Sequence, residues 1–196
     1  DEFEKNNTET YVYGLEESYG YKVEKEVMDK DGVSAAAMCA EMTLYWASKG
    51  KSILEHLDDM YREFGFFEDR AISQNFPGSA GKETMANIMT RLRTEGLKTL
   101  GGKKVLEIRD IGNSVSYDPA NPVAKKEIKL PKSNVLQFVL EGGTIVSARP
   151  SGTEPKIKFY INARSDSSNG LDAAKDESGK VCDAITADIK DLLSKA

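Results

Sequence analysis

The sequence predicts a mixed α+β / α/β protein whose second part is a mostly antiparallel sheet with helices on one face. Residues 144–148 and 156–163 alternate apolar and polar side chains, which is typical of half-buried strands, and a compact polar loop joins them. Apolar residues at helical spacing predict a final helix near residues 171–194. The predicted order before it, strand, helix, strand and then further strands, suggests a mostly antiparallel sheet with helices on one face.

The composition is that of a folded globular protein, with 39% hydrophobic and 30% charged residues in a chain of 196. A net charge of −5 argues against broad nucleic-acid binding, which needs a basic face. No apolar run approaches the length of a membrane-spanning helix, and no signal peptide opens the sequence. Cys39 and Cys182 each lie in an apolar helical pattern, so we expect reduced core residues of a cytoplasmic protein without a disulfide.

A short strand at residues 10–14 and a first helix near residues 33–49 are predicted in the first half. Asp31 or the turn before it can cap this helix, and Gly50 ends it. Apolar residues surround much of its circumference, which predicts a buried crossover helix.

Ser52 and Glu55 form a capping box at the start of a second helix, which Gly65 ends. Its apolar stripe consists of Ile53, Leu54, Leu57, Met60, Tyr61 and Phe64. The only histidine, His56, lies off that stripe. A single histidine supports neither a His-based metal site nor a catalytic triad, so we assign it no role.

The predicted domain boundary lies around residues 66–70, before a strand at about 70–76. Gly78, Gly81 and Lys82 do not form a nucleotide-binding P-loop, because only two residues separate the glycines and Glu83 follows the lysine. The segment is instead an amphipathic helix whose core stripe consists of Met85, Ile88, Met89 and Leu92.

Strands are predicted at residues 104–109 and 135–140, and residues 112–132 between them are predicted to be a long irregular connection. The last helix presents an apolar stripe of Val181, Ile185, Ile189 and Leu192. Gly179 lies within this helix and weakens the prediction of one unbroken rod.

The polar loop that joins the two alternating segments contains Arg149, Ser151, Gly152 and Thr153. A planar guanidinium, two hydroxyls and backbone N–H groups can converge on the oxygens of a phosphate. The alternative is a polar hairpin in which Arg149 pairs with a surface carboxylate such as Glu154.

A second candidate site is the loop at residues 14–21, in which Glu16 and Ser18 are one residue apart. A carboxylate accepts hydrogen bonds from neighbouring hydroxyls and a serine can donate or accept, so the pair could hold two hydroxyls of a sugar. The alternative is a solvated turn.

Residues 148–160, with the sequence ARPSGTEPKIKFY, closely resemble the phosphate-binding loop in the last domain of the alpha-D-phosphohexomutase (phosphoglucomutase/phosphomannomutase) family. The resemblance implies that Arg149, Ser151, Gly152 and Thr153 bind phosphate. It places Lys158 at a further cationic position, where related proteins often have arginine.

The Glu16-x-Ser18 loop is similar to the sugar-binding loop of the third domain in that family. Lys30, in a Lys-Asp-Gly segment, matches a lysine near the reacting phosphoryl group, which implies an acid/base or electrostatic role as a catalytic residue. The resemblance implies that residues 1–67 are the end of the third domain, a partial α/β domain. Residues 68–196 would then be the C-terminal phosphate-binding domain.

In this family a phosphoserine passes its phosphoryl group to a hexose phosphate through a hexose bisphosphate, assisted by magnesium on an Asp-rich loop. Neither the Thr-x-Ser-His-Asn pattern of the serine loop nor the Asp-Gly-Asp metal loop occurs in the sequence. We therefore expect a C-terminal fragment of an intramolecular phosphotransferase, inactive alone, whose metal lies outside it and whose partners are a hexose phosphate and the N-terminal domains of the same chain.

Residues 1–10 look like the end of an interrupted helix, which also suggests a fragment. Two alternatives stay open: a stand-alone sugar-phosphate-binding module without a catalytic role, and an interaction-only domain that binds no sugar phosphate. The sequence does not distinguish glucose phosphates from mannose phosphates.

Overall fold

The structure is a computed structural model that describes residues 11–195 except residues 17, 18, 24 and 79. The chain divides into two units, Asp1–Asp59 and Met60–Ala196, with the division inside the second helix. The boundary expected between residues 67 and 68 stays a prediction.

The first unit contains a hairpin of two antiparallel strands, β1 (Gly14–Glu16) and β2 (Gly20–Lys22), and helix α1 (Gly32–Ser48). Helix α2 (Ile53–Phe64) begins in this unit. The strand predicted at residues 10–14 is wrong for residues 11–13, which have no regular structure; residue 10 lies outside the described residues. In the structure, the strand begins at Gly14, which is the last residue of the predicted range.

The ends of α1 and α2 confirm the predicted caps. The Asp31 carboxylate accepts hydrogen bonds from the N–H groups of Val33 (2.9 Å) and Ser34 (3.1 Å). Hydrogen bonds from Ser34 and Val33 lower the pKa of the Asp31 carboxyl, because they favour its charged form. At α2 the Ser52 N–H donates to the Glu55 carboxylate (2.7 Å) and the Glu55 N–H donates to the Ser52 hydroxyl (3.2 Å).

The predicted burial of α1 is wrong. None of its residues is buried, Leu44 is 72% exposed, and Cys39 lies at the surface instead of in a core. A helix that is apolar all round is usually covered on every side, but the described strands beside α1 have three residues each and cover little of it. The His56 ring stacks on Trp46 with centroids 3.6 Å apart, a packing contact that joins the two helices.

The second unit is built on one sheet of eight strands, in which every neighbouring pair is antiparallel. The strands are β3 (Phe66–Asn75), β4 (Thr99–Leu100), β5 (Lys103–Asp110), β6 (Val115–Asp118), β7 (Asn121–Glu127), β8 (Leu136–Leu140), β9 (Ile145–Pro150) and β10 (Lys156–Ser165). Their order is β3-β10-β9-β8-β5-β6-β7, and β4 pairs with β5. A 3₁₀ turn, Glu141–Gly143, precedes β9.

Two helices of this unit, α3 (Gly81–Thr94) and α4 (Leu171–Ser194), pack on one face of the sheet. Part of each predicted stripe is buried: Ile88, Met89 and Leu92 in α3, and Ile185 and Ile189 in α4. The other stripe residues, Met85, Val181 and Leu192, are partly buried against the core. They meet the buried side chains of the strands, including Ile108, Phe138, Val146, Ala148, Ile157, Phe159 and Ile161. This arrangement confirms the predicted α+β architecture, and α4 continues through its internal glycine.

Cys182 of α4 is a core residue, as predicted, and is free of any disulfide. Burial raises the pKa of its thiol to about 11, because an apolar environment disfavours the thiolate.

Residues 112–132 do not form an irregular connection, because β6 and β7 lie within them. β7 is an edge strand that is exposed along its whole length, so it lacks the alternation by which half-buried strands are recognised. Pro122 is its second residue, a position that an edge strand tolerates because the missing N–H need not pair.

Candidate functional site

The polar loop of residues 151–155 closes the hairpin between β9 and β10. The Ser151 N–H donates to the Lys156 carbonyl (2.8 Å), and the Lys156 N–H donates to the Glu154 carbonyl (2.8 Å). The Pro155 carbonyl accepts a hydrogen bond from the Phe76 N–H beyond the end of β3 (2.8 Å). These backbone hydrogen bonds hold the loop at the ends of β9 and β10, beside the end of β3.

The side chain of Ser151 organises the loop from inside. Its Oγ accepts hydrogen bonds from the N–H groups of Thr153 (3.4 Å) and Glu154 (3.2 Å), and lies 3.5 Å from the Thr153 hydroxyl. A hydroxyl that accepts in this way keeps its own proton to donate. The loop therefore offers two adjacent hydroxyl groups.

Arg149 and Lys158 are directly opposite each other on β9 and β10. Ala148 and Ile157 point into the core, so the two cations extend from the opposite, open face of the sheet. The Lys158 ammonium lies 5.7 Å from the centre of the Tyr160 ring. Facing cations on neighbouring strands repel each other, and an anion between them would remove that cost.

Arg149 does not pair with Glu154. The Glu154 carboxylate pairs with the ammonium group of Lys156 instead, at 3.0 Å. Within the described ranges, the exposed guanidinium of Arg149 makes no hydrogen bond or ion pair. The five donors of Arg149 are thus available to a ligand.

The second candidate site lies at the β1–β2 hairpin of the first unit. The Lys30 ammonium donates to the Glu16 carboxylate at 2.9 Å, although the two residues are 14 positions apart. Both side chains are about half exposed. Ser18, the predicted partner of Glu16, lies outside the described residues. The structure thus brings together two of the three residues expected to handle the sugar and its reacting phosphate.

Gly20 makes the Glu16–Lys30 contact possible. A Cβ atom at this position would lie 2.9 Å from Lys30 Cγ and 3.0 Å from Glu16 Oε2, inside the van der Waals distance. The aliphatic part of Lys30 crosses the glycine backbone to reach the carboxylate. This close approach explains why position 20 is a glycine, since Gly20 does not have a positive φ.

A polar cluster around Asp110 was not found from the sequence. The Asp110 carboxylate is 7% exposed and accepts hydrogen bonds from Arg93 Nε (3.2 Å) and Asn113 Nδ2 (2.6 Å). Arg93 also donates to the Asn134 side chain. A cavity of about 420 Å³ borders this cluster, and Tyr117 lines it. Because the carboxylate is paired on both sides, the cluster ties α3 to the ends of β5 and β8.

The described residues contain no group of three or more histidine, cysteine or acidic side chains that could hold a metal ion. None of the helices in the described part of the chain has the length and hydropathy needed to cross a lipid bilayer.

Two family models match the chain. Residues 89–177 match the model described as phosphoglucomutase/phosphomannomutase, C-terminal domain, and residues 2–64 match the alpha/beta/alpha domain III of the same family. Arg149 and the polar loop lie in the first match, and Glu16 and Lys30 lie in the second.

Among curated proteins, the chain is similar to phosphoglucomutases of staphylococci. It is 34% identical to that of Staphylococcus epidermidis over 158 residues, covering 81% of this chain and 29% of the relative. It is 31% identical to that of Staphylococcus haemolyticus over 163 residues, covering 83% and 29%. The chain therefore spans about 29% of the length of these relatives.

A solved structure with a similar fold is the open form of pp63/parafusin, a phosphoglucomutase from Paramecium. The TM-score is 0.51 at 19% sequence identity, and the match covers 91% of this chain and 28% of the other. At this identity the likeness concerns the fold alone.

Proposed function

The chain belongs to the phosphoglucomutase/phosphomannomutase family, and we propose that it is the C-terminal part of a cytoplasmic phosphoglucomutase that recognises the hexose phosphate. The complete enzyme would interconvert hexose 1-phosphate and hexose 6-phosphate through a phosphoserine and a hexose bisphosphate. The observation that carries this proposal is the pair of facing cations, Arg149 and Lys158, beside a loop of hydroxyl donors.

In the proposed mechanism, this loop holds the phosphate that is not reacting. The Arg149 guanidinium takes two phosphate oxygens, Lys158 supplies charge across the strand, and the hydroxyls of Ser151 and Thr153 donate to the remaining oxygens. Gly152 has no side chain, and a Cβ at this position would meet nothing within 4 Å. A ligand can therefore approach the backbone at this point. Phosphoryl transfer depends chiefly on positioning and charge, so a clamp away from the reacting atoms still contributes to the rate.

The Glu16 carboxylate is proposed to accept hydrogen bonds from two neighbouring hydroxyls of the sugar, with Ser18 beside it. Lys30 holds that carboxylate in place at 2.9 Å and adds positive charge where the phosphoryl group would react. Because Lys30 contacts Glu16, substitutions at the two positions should not act independently.

Magnesium belongs to the proposal for the complete enzyme, where it would supply charge at the reacting phosphoryl group. The described residues do not fit such an ion, since they contain no cluster of metal-ligating side chains. Every step assigned to this chain is binding, orientation or charge stabilisation by its own residues.

The proposal is tested by titrating the chain with inorganic phosphate and with glucose 1-phosphate in a calorimeter. We expect saturable binding of both ligands, because each presents a phosphate group to the loop. Sodium chloride at equal ionic strength is the control for a general effect of salt. If neither ligand binds, the chain has no phosphate clamp and the proposal is wrong.

Glu16→Gln is expected to weaken glucose 1-phosphate binding about tenfold while leaving inorganic phosphate unaffected, because a charged acceptor becomes a weaker neutral one. Glu41→Gln, on the exposed surface of α1, is the matched control for loss of one negative charge. An equal loss of affinity for both ligands would remove Glu16 from the sugar site.

The chain alone is expected to show no mutase turnover, even with magnesium and glucose 1,6-bisphosphate, because no matching serine is present to carry the phosphoryl group. A coupled assay of the purified chain measures this. Turnover that rises with chain concentration and survives repurification would contradict the assignment of the chemistry to other domains.

A further inference from the structure

We propose that Lys156 guards the phosphate loop by holding the Glu154 carboxylate away from Arg149. This role rests on the proposed function, because it matters only if the loop binds an anion. Lys156 is then a positioning residue: its ammonium group pairs with a neighbouring carboxylate that would otherwise compete with the phosphate.

Glu154 is a built-in competitor for the loop. It follows Thr153 directly, and its side chain is 63% exposed, so the side chain has room to reorient. The backbone keeps the carboxylate close to the loop. A tethered group has a high effective concentration at a neighbouring site. Carboxylates and phosphates use the same bidentate geometry on a guanidinium, so Arg149 would accept either.

The competitor is held by a side chain on the same face of the sheet. Lys156 and Lys158 flank the buried Ile157, so both extend from the open face on which Arg149 lies. The Lys156 side chain is only 27% exposed, and its ammonium group takes the Glu154 carboxylate at 3.0 Å. As a result, the exposed Arg149 keeps its guanidinium available.

The backbone of Lys156 has a separate task. Its N–H and carbonyl close the loop onto Glu154 and Ser151, both at 2.8 Å. These bonds do not involve the side chain and are retained in any variant except proline. Substituting the side chain therefore changes the charge arrangement without opening the loop.

The test is a double-substitution cycle, read as the affinity of the 196-residue chain for inorganic phosphate. Lys156→Met is expected to weaken binding about fivefold, the scale of one partly exposed ion pair, because Glu154 then pairs with Arg149. Glu154→Gln should bind at least as tightly as the unsubstituted chain. The double variant should bind phosphate with the affinity of the unsubstituted chain. Lys156→Arg preserves the ion pair with Glu154 and should also bind phosphate with that affinity.

The rescue separates this role from its rivals. If the double variant stays as weak as Lys156→Met, Lys156 contacts the phosphate itself and the guarding role is wrong. If Lys156→Met binds normally, Glu154 is no competitor, and the inference fails while the clamp stands. If the unsubstituted chain does not bind phosphate, the proposed function and this inference both fail. Thermal unfolding by circular dichroism verifies that each variant is folded.

Discussion

Arg149→Ala is expected to weaken phosphate binding by about ten- to a hundredfold, because charge-assisted hydrogen bonds worth roughly 1.5–3 kcal/mol are lost. The guanidinium is exposed and makes no interaction with the described part of the protein, so its removal leaves no buried group unpaired. Stability should accordingly be unchanged or slightly higher, since the repulsion from Lys158 across the strands also disappears.

Arg149→Lys separates geometry from charge. Lysine keeps the positive charge but lacks the planar fork, so we expect an intermediate loss of affinity. Arg109→Ala is the control, because Arg109 lies on β5 of the same sheet and pairs with Glu107 at 2.8 Å, away from the loop. Calorimetry with inorganic phosphate measures all three variants. Equal losses of phosphate affinity in Arg149→Ala and Arg109→Ala would mean that phosphate is attracted only by the general positive charge of the sheet.

The geometry of the polar loop at residues 149–155 could be predicted because its information is local. Its donors lie within five consecutive residues, and the alternation in the flanking segments already places Arg149 and Lys158 on the face opposite the core. The partner of Glu154 could not be predicted, because Arg149 and Lys156 both lie within five residues of it in the sequence. Only the placement of the side chains decides between them.

Features that depend on distant residues were missed or misjudged. The Glu16–Lys30 pair requires the chain to fold back over Gly20, and no spacing rule connects the two residues. The apolar pattern around Cys39 predicts a core position, but the surface of a helix is buried only where a neighbour covers it, and Cys39 is exposed. β7 could not be predicted for the same reason. It is a strand because it pairs with β6, and its own residues do not show the alternation of a half-buried strand.

Gly101→Ala is expected to destabilise the second unit by about 2–5 kcal/mol, the sum of a conformational and a steric cost. Gly101 and Gly102 form the two-residue turn between β4 and β5, with φ of +59° and +73°, a pairing that favours glycine at both positions. A Cβ on Gly101 would overlap the Ile185 side chain and lie 3.0 Å from the Ile185 backbone nitrogen. Ile185 is fully buried in α4, so it cannot move aside.

Gly102→Ala is the matched control for that steric cost. It imposes a similar positive φ on alanine, but its Cβ would meet nothing within 4 Å, so only the conformational cost of about 1–2 kcal/mol is expected. Urea unfolding followed by far-ultraviolet circular dichroism gives both free energies. Fluorescence of Trp46, the only tryptophan and part of the first unit, reports that unit separately. Equal destabilisation by the two variants would show that α4 does not pack against the turn as closely as the structure places it, and the anchoring of β4 and β5 by this helix would have to be abandoned.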